Sequence, residues 1–150
     1  MSDELISIVQ NELDKDELTE IRLDKLLKLV DSLRKLRRRY SDEIHDIEIK
    51  SFEELVESLF ELRIEKVLEG SKLNDSFDKQ FLSILNTMRV IYISFLSGKY
   101  YIFNDKILCK VVSPFMRKGV LLSPGDIVLL PIHEVLALIT SGYITPIEVV

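Results

Sequence analysis

The sequence predicts an α+β protein: an N-terminal four-helix, mainly α domain, then a small C-terminal β domain with one short helix. Three observations carry this expectation. All four prolines and four of the five glycines lie after residue 97, which concentrates turns there. Most of the Lys, Arg, Asp and Glu lies before it. The hydrophobic pattern also changes, from three-and-four spacing to short runs rich in β-branched residues.

Taken in order, a first helix is expected from Glu4 to about Leu13. A second runs from Leu23 to Tyr40, with Leu23, Leu26, Leu27, Val30 and Leu33 at amphipathic spacing. A third runs from Ser51 to Glu69. It opens on Ser51-x-x-Glu54, the pattern of a capping box, and meets a stop at Gly70. The fourth extends from about Asn74 to Leu96, where Phe77, Phe81, Ile84, Met88, Ile91 and Phe95 keep one stripe in phase. Such stripes must be buried against one another or against a second subunit.

After Gly98 the sequence reads as strands and turns. "YYIF", Asn104-Asp105 and "KILCKVV" predict a strand, turn and strand. "GVLL", Ser123 to Asp126 and "IVLLP" predict a second hairpin-like pair. "IHEVLALITSG" predicts a short helix, with Pro131 near its start and Gly142 at its end, before the closing strand or strands of "YITPIEVV". The expected domains are 1–97 (helical), 98–106 (linker or first strand) and 107–150 (small and β-rich).

Composition excludes several classes. The net charge of −5 gives no long-range attraction to phosphate, so any nucleic-acid contact must be local, and weak or indirect. The N-terminus is acidic from Asp3 onward, unlike a secretory signal. No run approaches the ~18 apolar residues of a membrane span, and no membrane association is expected. The single cysteine, Cys109, sits among β-formers and reads as a small buried apolar residue. A reducing cytosol is its natural setting.

The two histidines, His45 and His133, have no second ligand at metal spacing. Neither a Gly-rich phosphate loop nor a nucleophile elbow is present. No catalytic residue, cofactor or metal is expected, and the sequence favours a binding or scaffold protein.

The charges of the helical part point the same way. "SLRKLRRRY" packs five cations into the end of the second helix, where they suit the negative end of its dipole. On a wheel of ~100° per residue, with the apolar arc centred near Leu23, Leu26 and Val30, Arg34 and Arg37 fall inside the arc. Arg38 falls at its margin, and Lys35 and Arg39 on the far side. In the third helix Glu53, Glu54, Glu57, Glu61, Glu65 and Glu69 cover one side, either as a solvated face or as a docking face for a basic partner. Arg63 and Lys66 project from the apolar side with Leu55, Leu59 and Leu62. Cations there need partners across helices or subunits, unless their heads reach past the apolar surface to water.

Three stretches resemble the archaeal GINS subunits of the replicative helicase complex. "FELRIEKVLEG" is similar to the family's Arg-x-x-Lys-Val/Ile signature, with Arg63, Lys66 and Val67 at the matching positions. "LLKLVDSLRKLRRRY" resembles the helix before it, and "GVLLSPGDIVLLPIHEVLALITSGYITPIE" the small B domain. A helical A domain placed first resembles the class of the eukaryotic Psf-one and Sld-five proteins.

That resemblance implies a non-catalytic, cytoplasmic and nucleoid-associated subunit. It implies a heterotetramer with a paralogous subunit of reversed domain order. It also implies links to the MCM helicase, which the complex would stimulate, and to a RecJ-like protein of the DHH family. The expected subunit-interface residues are Arg34, Arg37, Leu59, Arg63, Lys66, Phe81 and Met88; Arg38 and Arg39 are candidates for phosphate contact. The alternative is a nucleic-acid-binding regulator that dimerises through its helices and uses Arg34 to Arg39 on DNA.

Overall fold

The three-and-four spacing of leucines produces four helices in the first two thirds of the chain. The computed structural model describes residues 2–150. The helices are α1 (Ser2–Asp14), α2 (Leu23–Arg39), α3 (Glu43–Leu68) and α4 (Lys79–Leu96). There follow β1 (Ile102–Phe103), β2 (Lys106–Val111), β3 (Phe115–Arg117), β4 (Val120–Leu122), β5 (Ile127–Pro131), α5 (Ile132–Thr140) and β6 (Ile144–Pro146). The chain divides into two compact units, one ending at Ser83 and the other beginning at Ile84.

In the first unit α3 is the central element. At 26 residues it is about 39 Å long. Along it α1 and α2 bury Leu5, Leu29 and Phe52 in one cluster and Val9, Ile21, Leu26 and Leu59 in a second. A third cluster joins Leu18, Val67 and Leu82, from the connector after α1, the end of α3 and the first turn of α4.

Three details differ from the sequence expectation, the first being that α4 begins at Lys79 rather than near Asn74, which leaves Phe77 in the segment before it. α3 begins at Glu43, not at Ser51. Its cap is Asp42, whose carboxylate accepts the His45 backbone N–H at 2.9 Å. Asp42 follows the α2–α3 turn directly, and Glu43 and Asp46 supply negative charge where the helix dipole favours it. Ser51 lies mid-helix, with its hydroxyl donating to the Ile47 carbonyl at 3.1 Å.

The packed side of α2 is also turned from the expected arc. Leu26 and Leu29 are buried with Leu33 and Leu36 beside them, whereas Leu23, Leu27 and Val30 are each 54% exposed. The apolar arc of α2 is wider than one contact. Its α3-facing half comprises Leu26, Leu29, Leu33 and Leu36, and the other half faces outward.

The second unit is built on β2. Lys106 to Lys110 pair antiparallel with β5, while β1 and β6 share its other edge. Alternation buries Ile107, Cys109 and Val111 beside Leu130, and Val135 of α5 belongs to the same core. Burial pushes the Cys109 thiol up to about 11, so it remains protonated in that core.

The expected β4–β5 hairpin does not form. β4 pairs with β3, and β5 crosses to the other sheet. Lys118 and Gly119 both take positive φ, 50° and 78°, which is the turn that closes a two-residue hairpin between Arg117 and Val120. The Ser123–Asp126 turn then leads into β5, which lies beside β2.

The assignment of the α3 start makes a prediction. Asp42→Ala should lower the urea midpoint of the chain and fray the first turn of α3 in amide exchange. Ser51→Ala should leave both unchanged.

Candidate subunit interface and the ion network beneath it

Arg63 and Lys66 stand one turn apart on the same face of α3, and both are buried, at 1% and 8% exposure. The α1 stripe Leu5–Val9 continues in register to Glu12, which has no exposed surface. Burial alone would raise the Glu12 carboxyl above its ordinary pKa. Hydrogen bonds from Thr19 and Lys66, with the charges of Arg63 and Lys66, outweigh that and hold it below.

Lys66 Nζ donates to Glu12 Oε1 at 3.0 Å and to the Glu12 carbonyl at 2.5 Å. A third bond reaches the Glu17 carbonyl at 3.0 Å. Arg63 donates in parallel to both carboxylate oxygens of Asp78, at 2.6 and 2.7 Å. Its remaining N–H groups reach Glu12 Oε2 at 3.2 Å and the Thr19 carbonyl at 2.9 Å. The Thr19 hydroxyl also donates to Glu12.

The neighbouring connectors are tied into the same set. Ser76 Oγ accepts the Ile21 N–H at 3.1 Å, and the Phe77 N–H donates to the Ile21 carbonyl at 2.9 Å. Among the described residues no buried side-chain polar atom is left without a partner.

The site residues expected from sequence therefore fall into separate places. Leu59, Arg63 and Lys66 lie inside the unit and have little surface left to offer. Arg34 and Arg37 are exposed; Arg34 pairs with Asp31, and Arg37 with Glu53 of α3. Arg37 and Glu53 rim a depression of about 470 Å³ floored by Leu33, Ile49, Phe52, Val56 and Phe60. Phe81 is 56% exposed and meets Phe60 with ring centroids 6.0 Å apart. Met88, in the second unit, is also exposed, as are Arg38 and Arg39.

Sequence reasoning missed Glu12, Thr19 and Asp78 as the partners of the buried cations. One signal was present: Glu12 stands where the Leu5–Val9 stripe would place its next apolar residue. Asp78 had none, because its role depends on where a connector returns.

The outward surface is apolar across several elements. Leu23, Leu27 and Val30 form a ridge on α2, Val56 and Phe60 lie on α3, and Phe77 and Phe81 flank the start of α4. Exposed patches of this kind mark interaction surfaces. Among the described residues no group of His, Cys, Asp and Glu is placed to hold a metal, and no helix is long and apolar enough to cross a membrane.

A helical unit with its ions satisfied internally and its apolar ridges outside, followed by a small β unit, is the build of an assembly subunit. Residues 1–78 match the family model for the GINS complex Gins15 subunit N-terminal domain, and residues 98–148 match that for its C-terminal domain. The chain belongs to this family and is a GINS complex subunit. No curated protein matches it.

The network has measurable consequences. Arg63→Ala should lower the unfolding free energy by about 3–5 kcal/mol, because it leaves the partly buried Asp78 without its ion-pair partner and the buried Glu12 with one cation in place of two. The depressed Glu12 pKa sets a direction with pH. Its stabilising effect is complete above the unfolded value of about 4.3 and is lost as pH falls through the lower folded value. Urea midpoints should therefore fall on the acid side, and Glu12→Gln should lower the neutral plateau while removing part of that acid slope.

Proposed function

We propose that this GINS subunit is a non-catalytic scaffold. It assembles with a paralogous subunit of reversed domain order into a heterotetramer, and that assembly links and stimulates the MCM replicative helicase and a RecJ-like protein of the DHH family. The cell compartment of this reading is the cytoplasm, at the nucleoid. The observation that carries the reading is the set of exposed apolar ridges on a unit whose buried charges already have partners. Those ridges are available for helix-to-helix contact with another subunit.

Within that reading Phe81, Met88, Arg34 and Arg37 are direct contact residues. Arg37 joins the rim of the α2–α3 depression, and Arg34 continues the outward line of Leu27 and Val30. Leu59, Arg63 and Lys66 act from below by fixing the helix that carries Val56 and Phe60.

A second reading, DNA binding through Arg34 to Arg39, draws on one observation. Arg38 and Arg39 are exposed and enter no ion pair among the described residues, whereas Arg34, Lys35 and Arg37 have acidic partners. Two free cations fit a local phosphate contact within a larger complex better than an independent grip on DNA.

Co-expression with a GINS paralogue of reversed domain order, followed by native mass spectrometry, tests the proposal. The mass of a tetramer containing both chains is expected; a lone monomer that captures no paralogue would overturn it. Phe81→Glu should leave the isolated chain folded and weaken assembly by at least about 2 kcal/mol. Arg38→Ala with Arg39→Ala should leave assembly unchanged and reduce the salt slope of any DNA binding by no more than about 2.

A further inference from the structure

The sheet built on β2 has two faces, and α5 packs with only one of them. On the other face, register places Leu108 beside Leu129, Lys110 beside Ile127 and Phe103 beside Lys106. Phe103 and Ile127 are each 55% exposed, and Leu129 is 36% exposed. An antiparallel sheet with a solvated face ordinarily carries polar residues there. Here the apolar residues continue across three strands, which is the mark of an interaction surface.

The charge on this face has one sign. Lys106 and Lys110 alternate outward with Leu108 along β2, both are exposed, and neither enters an ion pair among the described residues. None of the paired strand positions on this face holds a carboxylate. The two lysines stand about 13 Å apart along the strand, the rise of roughly nine helical residues.

We propose that this face docks an amphipathic helix of a partner protein. Its apolar stripe would lie on Phe103, Leu108, Ile127 and Leu129, and carboxylates flanking the stripe would meet Lys106 and Lys110. A helix is the element that ordinarily covers a sheet face. Single-stranded nucleic acid is the weaker match: Tyr101 and Phe103 supply two rings at one edge, but the rest of the face is aliphatic and its two lysines do not make the basic groove that tracks a phosphate backbone. The surface is additional to the contact proposed for the helical unit, and its test requires no other GINS subunit.

The probe is a designed helical peptide with a leucine stripe bordered by glutamates, titrated into the full-length chain. Fluorescence anisotropy gives the affinity and amide spectra locate the site. Saturable binding is expected, with shifts confined to residues 103–110 and 127–129. Lys106→Glu with Lys110→Glu should weaken binding at least about tenfold, and a lysine-bordered version of the peptide should recover it on that variant. Leu129→Glu, also on the outward face, should weaken binding to a similar degree, and the neutral pair Lys106→Gln with Lys110→Gln serves if charge reversal disturbs folding.

The proposal is overturned if the peptide does not saturate, if shifts map elsewhere, or if none of these substitutions changes its affinity. It is equally overturned if oligothymidine binds the same residues more tightly than the peptide.

Discussion

A carboxylate with no exposed surface, Glu12, is held between an arginine and a lysine of one helix, and the first unit is arranged around that requirement. A buried charge is tolerated only when it is paired and hydrogen-bonded. Arg63 and Lys66 meet the need from one side of α3, and their remaining donors extend to the carbonyls of Glu17 and Thr19 and to the Asp78 carboxylate. One helix face thereby holds the end of α1, the connector after it and the segment leading into α4. Replacing a buried ion set by apolar side chains of similar volume is often neutral or stabilising, so stability alone does not account for it. The polar set differs in accepting few alternative geometries.

That internal closure connects the fold to the function. With its buried cations satisfied, α3 presents Val56 and Phe60 outward, and α2 presents Leu23, Leu27 and Val30. None of these is needed for the three buried clusters of the unit. The proposed scaffold role calls for such a division: internal order from directional bonds, and apolar area left outward. The second unit divides its sheet comparably, with Ile107, Cys109 and Val111 inward and Lys106, Leu108 and Lys110 on the opposite face.

Much of this was legible in the sequence. Helix spacing, the shift to turn-rich β structure after Gly98 and the inward position of Arg63 and Lys66 all follow from local rules. The places where local rules misled share a physical cause. Ser51-x-x-Glu54 is a valid capping pattern, but Asp42 caps earlier and the helix runs through it. The wheel of α2 located its apolar arc without showing which part would meet α3, because the arc serves two contacts. The Ser123–Asp126 turn suggests a β4–β5 hairpin, but Lys118–Gly119 closes a tighter one between β3 and β4. The ligands of the buried cations were the least legible, since Glu12 and Asp78 lie 51 and 15 residues from Arg63.

The Glu12–Arg63–Lys66–Asp78 set, rather than apolar packing alone, fixes the connectors on α3. Native-state hydrogen exchange at the Thr19, Ile21 and Phe77 amides addresses it directly, because each is bonded within or beside the network. These three amides are expected to share one opening free energy, and Glu12→Gln should lower all three together while amides in the middle of α3 retain most of their protection. Independent exchange of the three, or loss of protection spread evenly over the unit, would contradict it.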